Sequence, residues 1–156
     1  ILKTRPITNF QIILGKFFAV LLLIIIAVIP TFVYVYSIHQ LGNPIGNIDY
    51  GSTIGSYVGL LLLASSYASI GVFTSSISKN QIVAFLLGIV IAFFFYYGFD
   101  AVANLFGSSS YTVKLFGMNE HFKSISRGVL DTRDVLYFFS IIVFFLFITK
   151  QKLTNE

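Results

Sequence analysis

The chain has 156 residues, of which 56% are hydrophobic and only 10% charged, with a mean hydropathy of +0.88. Soluble domains carry about 25% charged residues, so an ordinary soluble domain is excluded. With no cysteine, disulfides, thiolate zinc sites, iron–sulfur clusters and thiol catalysis are excluded as well. The net charge of +4 is compatible in principle with nucleic acid, but the basic residues flank apolar runs, which is the pattern of membrane anchoring. No nucleic-acid partner is expected. The chain opens on Ile1 and its only methionine is Met118, so it reads as a piece of a longer protein.

Charge-free gaps locate the membrane segments. There are 32 residues without Lys, Arg, Asp or Glu between Lys16 and Asp49, 29 between Asp49 and Lys79, 20 over Asn80–Phe99 and 15 over Val135–Thr149. Filled with Leu, Ile, Val and Phe, such gaps predict transmembrane helices. The fold class is therefore all-α, a polytopic helical bundle of four spans with amphipathic surface helices.

Residues 1–16 form a basic amphipathic lead-in with Lys3, Arg5 and Lys16. Pro6 precedes Thr8-Asn9-Phe10-Gln11, a capping-box pattern, so a helix is predicted to start near Asn9. Its first turns lie at the membrane surface before the first span, 17–36, which Pro30 should kink. Ser37–Ser52 reads as a turn-rich loop. The second span, 53–75, follows. Gly51, Gly55 and Gly59 recur every fourth position, and Ala64/Ala68 and Ser65/Ser69 continue the small-residue spacing. The third span, 80–99, carries Ala84, Gly88 and Ala92 on the same period. Small stripes let backbones approach closely, so these two spans are expected to pack together as a hairpin. Ser78-Lys79-Asn80-Gln81 is read as a second capping box in their short connection.

Residues 107–132 form a long polar loop, with short surface helices expected over Tyr111–Phe116 and Phe122–Leu130. Asp131 offers an N-cap and Asp134 an acid in the first turn of the last span. That span is placed at 133–149, with Lys150 snorkelling at its end. Four spans put both ends on one side. That side holds Lys3, Arg5, Lys16, Lys79, Lys150 and Lys152, against Lys114, Lys123, Arg127 and Arg133 on the other. The bias places both termini in the cytoplasm, and all but one of the tyrosines then fall near the outer boundary. Tyr67 alone is mid-span.

Candidates for chemistry are few. An intramembrane hydrolase needs a nucleophile and a base at depth; Ser56 lies in a span, but His39 and His121 are both in predicted outer loops. Close helix packing is the simpler role for the Ser56 region. Glu120, His121, Asp131 and Asp134 lack metal-ligand spacing and are read as caps and solvated surface charge. Gly15-Lys16 has no phosphate loop before it, so ATP, if used, is bound by another chain and no cofactor is expected in this one. Asp100, at the outer end of the third span, is read as a helix-end residue rather than an ion-coupling site. Ser65, Ser66, Tyr67 and Ser69 make the most polar patch at depth. Their hydroxyls either bond backbone and neighbouring helices or line a weakly polar path.

Three segments carry a resemblance. Thr4–Phe17, with Pro6-Ile7-Thr8 and Gly15-Lys16, resembles the stretch after the second span of type-2 ABC transporter permeases. Thr74–Phe85 and His121–Val135 are most similar to one subgroup, the gliding-motility-associated ABC transporter permease subunit of gliding bacteria. The resemblance covers essentially the whole chain, which would be the last four of the family's six spans. It implies a permease subunit in the bacterial inner membrane that pairs with a second permease subunit, as a homo- or heterodimer, and docks an ABC ATPase subunit. The docking element maps onto the helix around Pro6, Thr8, Phe10 and Gln11, and the outer-surface helices onto Tyr111–Leu130. The expected function is ATP-driven export associated with gliding motility or the cell envelope. The alternative is a non-transporting scaffold that couples an ATPase to envelope machinery.

Overall fold

A computed structural model describes residues 7–107 and 110–155, all helical or connecting, with no strand among them. The expectations placed on Pro6, Lys3 and Arg5 fall outside the described residues. Helix α1 (Asn9–Val28) passes through a 3-10 turn, Ile29–Thr31, into α2 (Phe32–Leu41). The 3-10 turn absorbs Pro30 without ending the helix, so the first apolar column runs 33 residues, Asn9–Leu41, where 17–36 was expected as its spanning part. Thr31 Oγ1 donates to the Val28 carbonyl at 2.6 Å and is 2.7 Å from the Tyr57 hydroxyl, which then donates to it. Phe32 stacks on the Tyr57 ring at 4.7 Å. The proline turn is thereby fastened to the next span.

Helix α3 (Tyr50–Ile77) returns, capped by Asp49, whose carboxylate accepts from Ser52 N. Its 28 residues rise about 42 Å, more than a bilayer core needs. Helix α4 (Gln81–Phe93) continues through a π-helical turn, Phe94–Gly98, into α5 (Phe99–Ala103). Two short helices follow, α6 (Ser110–Lys114) and α7 (Met118–Ser126), and α8 (Thr132–Thr154) closes the chain. Four stretches are long and apolar enough to cross a membrane: Asn9–Leu41, Tyr50–Ile77, Gln81–Ala103 and Thr132–Thr154. The bundle thus has two ends, a hairpin end at the α3–α4 turn and an α7 end opposite.

The capping box read at Ser78 does not form. Ser78 N still donates to the Thr74 carbonyl, so Ser78 closes α3, and Asn80 caps α4 by accepting from Ile82 N at 2.9 Å. The last span starts at its Asp131 cap, which accepts from Arg133 N at 3.0 Å, and reaches Thr154.

Helix α3 is the central column, against which α1, α4, α7 and α8 all pack. At the hairpin end, Ile13 and Phe17 of α1 meet Ala68 of α3 and Ile142 and Leu146 of α8. Toward the α7 end, Ile70, Met118, Ile125, Phe138 and Phe145 form the second core. Helix α4 leaves Ile82, Phe85, Val90 and Phe93 exposed, and α1 leaves Phe18, Leu22, Leu23 and Ile26 exposed. In water such faces would drive aggregation; in a bilayer they are the ordinary lipid or partner surface.

Candidate functional site

Three places in the bundle hold the residues that the sequence singles out. The first is the tip of α1. Thr8 Oγ1 accepts from Gln11 N at 3.3 Å and Thr8 N donates to Gln11 Oε1 at 3.0 Å, so the capping box is complete. Asn9 Nδ2 donates to the Leu153 carbonyl at 3.1 Å, tying the tip to the last turn of α8. Phe10 is held on this rigid tip, 43% exposed, with the Lys150 ammonium 5.5 Å from its ring centroid. An exposed aromatic ring beside a cation on a helix end has the residue chemistry that protein contact surfaces favour.

The second place is the face of α3 between α1 and α4. Tyr67, Gly71 and Ser75, spaced by one helical turn, separate two open grooves. The larger, about 890 Å³, lies against α4 and includes Ala84, Gly88 and Ala92 in its walls with Thr74, Ser76 and Ser78. The smaller, about 710 Å³, lies against α1. A β-carbon at Gly88 would sit 3.3 Å from Thr74 Oγ1, so α4 comes close to α3 at that position. Ser65, Ser66 and Ser69 do not line either groove. They are buried, donating to the carbonyls of Leu61, Leu62 and Ser66, which satisfies hydroxyls that would otherwise be costly at depth. The open hydroxyls lie one to three turns nearer the hairpin end.

The third place is the α7 end, where the structure departs most from expectation. Gly55 and Gly59 face α7, not α4. A β-carbon on Gly55 would collide with the Ile125 carbonyl and the Gly128 backbone, and one on Gly59 would press on Ile125 and Phe122 at 3.3 Å. Ser52 and Ser56 hydroxyls both donate to the Ser126 carbonyl, at 3.0 and 3.4 Å, satisfying the end of α7. Ser56 is thus a packing and capping residue. Helix α7 is wedged between α3, α8 and the π-helical turn, with Met118 and Ile125 fully buried, rather than lying loosely on a surface.

His121 and Asp134 are not solvated surface charge. His121 Nδ1 and Asp134 Oδ1 lie 2.6 Å apart, Nε2 is 2.8 Å from the Leu115 carbonyl, and both residues are buried. The imidazole stacks on Tyr137 with ring centroids 4.0 Å apart, and the Tyr137 hydroxyl donates to the Phe116 carbonyl. Asp100, in the first turn of α5, accepts from Asn119 Nδ2 at 2.6 Å, which ties α5 to α7. Separations of 13 and 19 residues joined these pairs across elements, and no local spacing signals them. Among the described residues no three His, Asp or Glu groups converge as metal ligands.

Comparison with known families gives a match over residues 1–126 to the family described as ABC-2 family transporter protein. No curated protein and no solved structure matches the chain. With four apolar helices in place and most of its length matched, the chain belongs to the ABC-2 family of transporter proteins.

Proposed function

We propose that this chain is the membrane-spanning permease subunit of an ATP-driven export system, working as half of a homo- or heterodimer. ATP is bound and hydrolysed on a separate ABC ATPase subunit, which docks at the tip of α1 through Thr8, Phe10 and Gln11, with Pro6 just before them. Both chain ends then lie in the cytoplasm, the membrane is the bacterial inner membrane, and the exported material serves gliding motility or the cell envelope. The observation that carries the reading, beyond family membership, is the exposed Phe10 held by a complete capping box and braced on α8. A loosely held tip would absorb motion; a braced one transmits it to two spans at once. The grooves beside Tyr67–Ser75 carry hydroxyl and apolar walls with cations only at their edge, at Lys16 and Lys79. That lining suits apolar, amphipathic or neutral glycan cargo better than small ions.

The test is co-purification of the full-length protein with its ATPase, comparing wild type with Phe10→Asp. The variant is expected to insert normally and lose the ATPase, since a carboxylate replaces the apolar centre of the contact. Retention by the variant at wild-type levels refutes docking at this tip. ATP hydrolysis by the reconstituted pair without cargo flux in vesicles would replace export by the scaffold role.

A further inference from the structure

The buried His121 ring has an acceptor at each nitrogen. Nδ1 lies 2.6 Å from Asp134 Oδ1 and Nε2 lies 2.8 Å from the Leu115 carbonyl oxygen. A neutral imidazole offers one N–H and one lone pair, so beside an ionised carboxylate it can meet only one of the two. The other contact would set lone pair against lone pair, at a separation that leaves no room for a water between them. Two proton placements satisfy both contacts. Either the ring is an imidazolium and donates twice, or Asp134 is protonated and donates to Nδ1 while Nε2–H donates to Leu115. Each holds one proton more than a neutral ring beside an ionised carboxylate, so that proton belongs to the pair. Asp134 Oδ2 points the same way, being buried without a hydrogen-bond partner. An orphaned oxygen costs less on a protonated carboxyl than on a carboxylate.

We infer that His121 and Asp134 form a proton-operated latch on the α6–α7 connection, closed while the pair holds its extra proton and open once that proton leaves. Leu115 directly follows α6, and its carbonyl is fastened to α7 by the Nε2–H of His121. When the pair loses its proton, the one remaining N–H goes to the stronger acceptor, the ionised Asp134, and the Leu115 contact is lost. The sign follows: the contact is present on the acid side of the ordinary imidazole range and disappears as pH rises through it. The Phe116 carbonyl keeps its bond from the Tyr137 hydroxyl, so opening loosens the connection without detaching it. The other ionisable groups on the cavity shared with the pair are Tyr111 of α6, Glu120 and Lys123 of α7, Arg127 just after it, and Asp131 and Arg133 at the start of α8. Among the described residues, α3 and the π-helical turn add none to it. Asp100 of α5 reaches Asn119 rather than the pair. Glu120 pairs with Lys123 at 3.6 Å, and Lys123, Arg127, Asp131 and Arg133 are exposed. Exposed charges of mixed sign act weakly, so the buried contact at 2.6 Å decides the outcome.

The experiment uses the full-length protein in nanodiscs, with a nitroxide on Leu115→Cys as its only cysteine; the backbone carbonyl that the latch holds is unchanged by that substitution. Electron paramagnetic resonance is recorded between about pH 5 and about pH 9, on either side of the imidazole range. The mobile spectral component is expected to grow at least about twofold toward the alkaline end, in a single-proton transition. His121→Gln should abolish the transition. Asp134→Asn is the sharper variant. Its amide can donate to Nδ1 of a neutral ring and leave Nε2–H for Leu115, so the label should stay immobile at every pH. A merely structural role for Asp134 gives the opposite result, a label that is mobile throughout. Nitrogen-15 spectra of the wild-type histidines depend on no variant at His121 or Asp134: Nε2 of His121 should be protonated near about pH 5 and unprotonated near about pH 9. The latch is overturned by an Nε2 proton that stays in place across that range, by pH-independent mobility at Leu115 or by a transition that survives His121→Gln. An Asp134→Asn label mobile at every pH, in protein that unfolds at the wild-type temperature, overturns it as well.

Discussion

A β-carbon on Gly55 would meet the carbonyl oxygen of Ile125 and, at 2.9 Å, the N and Cα of Gly128. These are backbone atoms of a segment pinned by two serine hydroxyls, so no side chain can swing aside to make room. Gly128 itself has φ +86°, a conformation that only glycine holds without strain, and a β-carbon built on it would lie 2.7 Å from the Gly51 carbonyl carbon. Gly71 lies in the same helix with nothing within 4 Å of its would-be β-carbon. Gly55→Ala is therefore expected to destabilise the protein by about 1–3 kcal/mol or more through overpacking. Gly71→Ala, which only removes helical glycine, is expected to be neutral or to stabilise by roughly 0.5–1 kcal/mol. Thermal unfolding in detergent distinguishes them; equal behaviour would mean that the close contact with α7 is not what Gly55 is for.

At the scale of elements, helix ends decide where the spans begin. Asn80 accepts from Ile82 N and Ser78 only bridges to Asn80, so the cap of α4 resides in the asparagine. Asn80→Ala is expected to cost about 1 kcal/mol, and Ser78→Ala less, because it removes a turn contact and leaves the cap intact. The reverse order would restore the serine to the capping role that its spacing from Gln81 suggests. Most elements were legible because the membrane leaves few alternatives: a charge-free run of this length has to be helical, and Thr8 and Asp131 mark two starts with the residue types that caps require. Ser78 misled because a capping pattern does not say whether the preceding helix has ended, and α3 runs one residue past Ile77 into it. Helix α7 was expected over Phe122–Leu130 and lies at Met118–Ser126, ending before the positive-φ Gly128, and it was not legible as a buried helix. Only Met118, Phe122 and Ile125 are apolar among its charged and polar neighbours, and the tertiary pairs of His121 and Asn119 are what make burial of the rest tolerable.

For the whole molecule, α3 is enclosed on the sides of α7 and α8 and open between α1 and α4, where the Tyr67–Gly71–Ser75 ridge stands between two grooves. The small-residue stripes announced close approach without naming partners, which is why Gly55 and Gly59 turned out to seat α7 while Ala84, Gly88 and Ala92 border the larger groove. Small residues on α4 keep that groove wide, since longer side chains there would fill it. If cargo moves along this face, narrowing it must stop transport without unfolding the bundle. Gly71→Leu supplies that separation, because the new side chain enters open space rather than a neighbour. Gly15→Leu is the matching control: it too has nothing within 4 Å, and it borders neither groove. Both variants should keep or slightly raise thermal stability, as leucine replaces helical glycine at a gain of about 0.5–1 kcal/mol. In reconstituted vesicles with the ATPase, Gly71→Leu is expected to abolish ATP-dependent flux and Gly15→Leu to leave it intact. Wild-type flux through Gly71→Leu would move the path off this face, leaving the Tyr67–Ser75 ridge as a surface covered by lipid or by another protein.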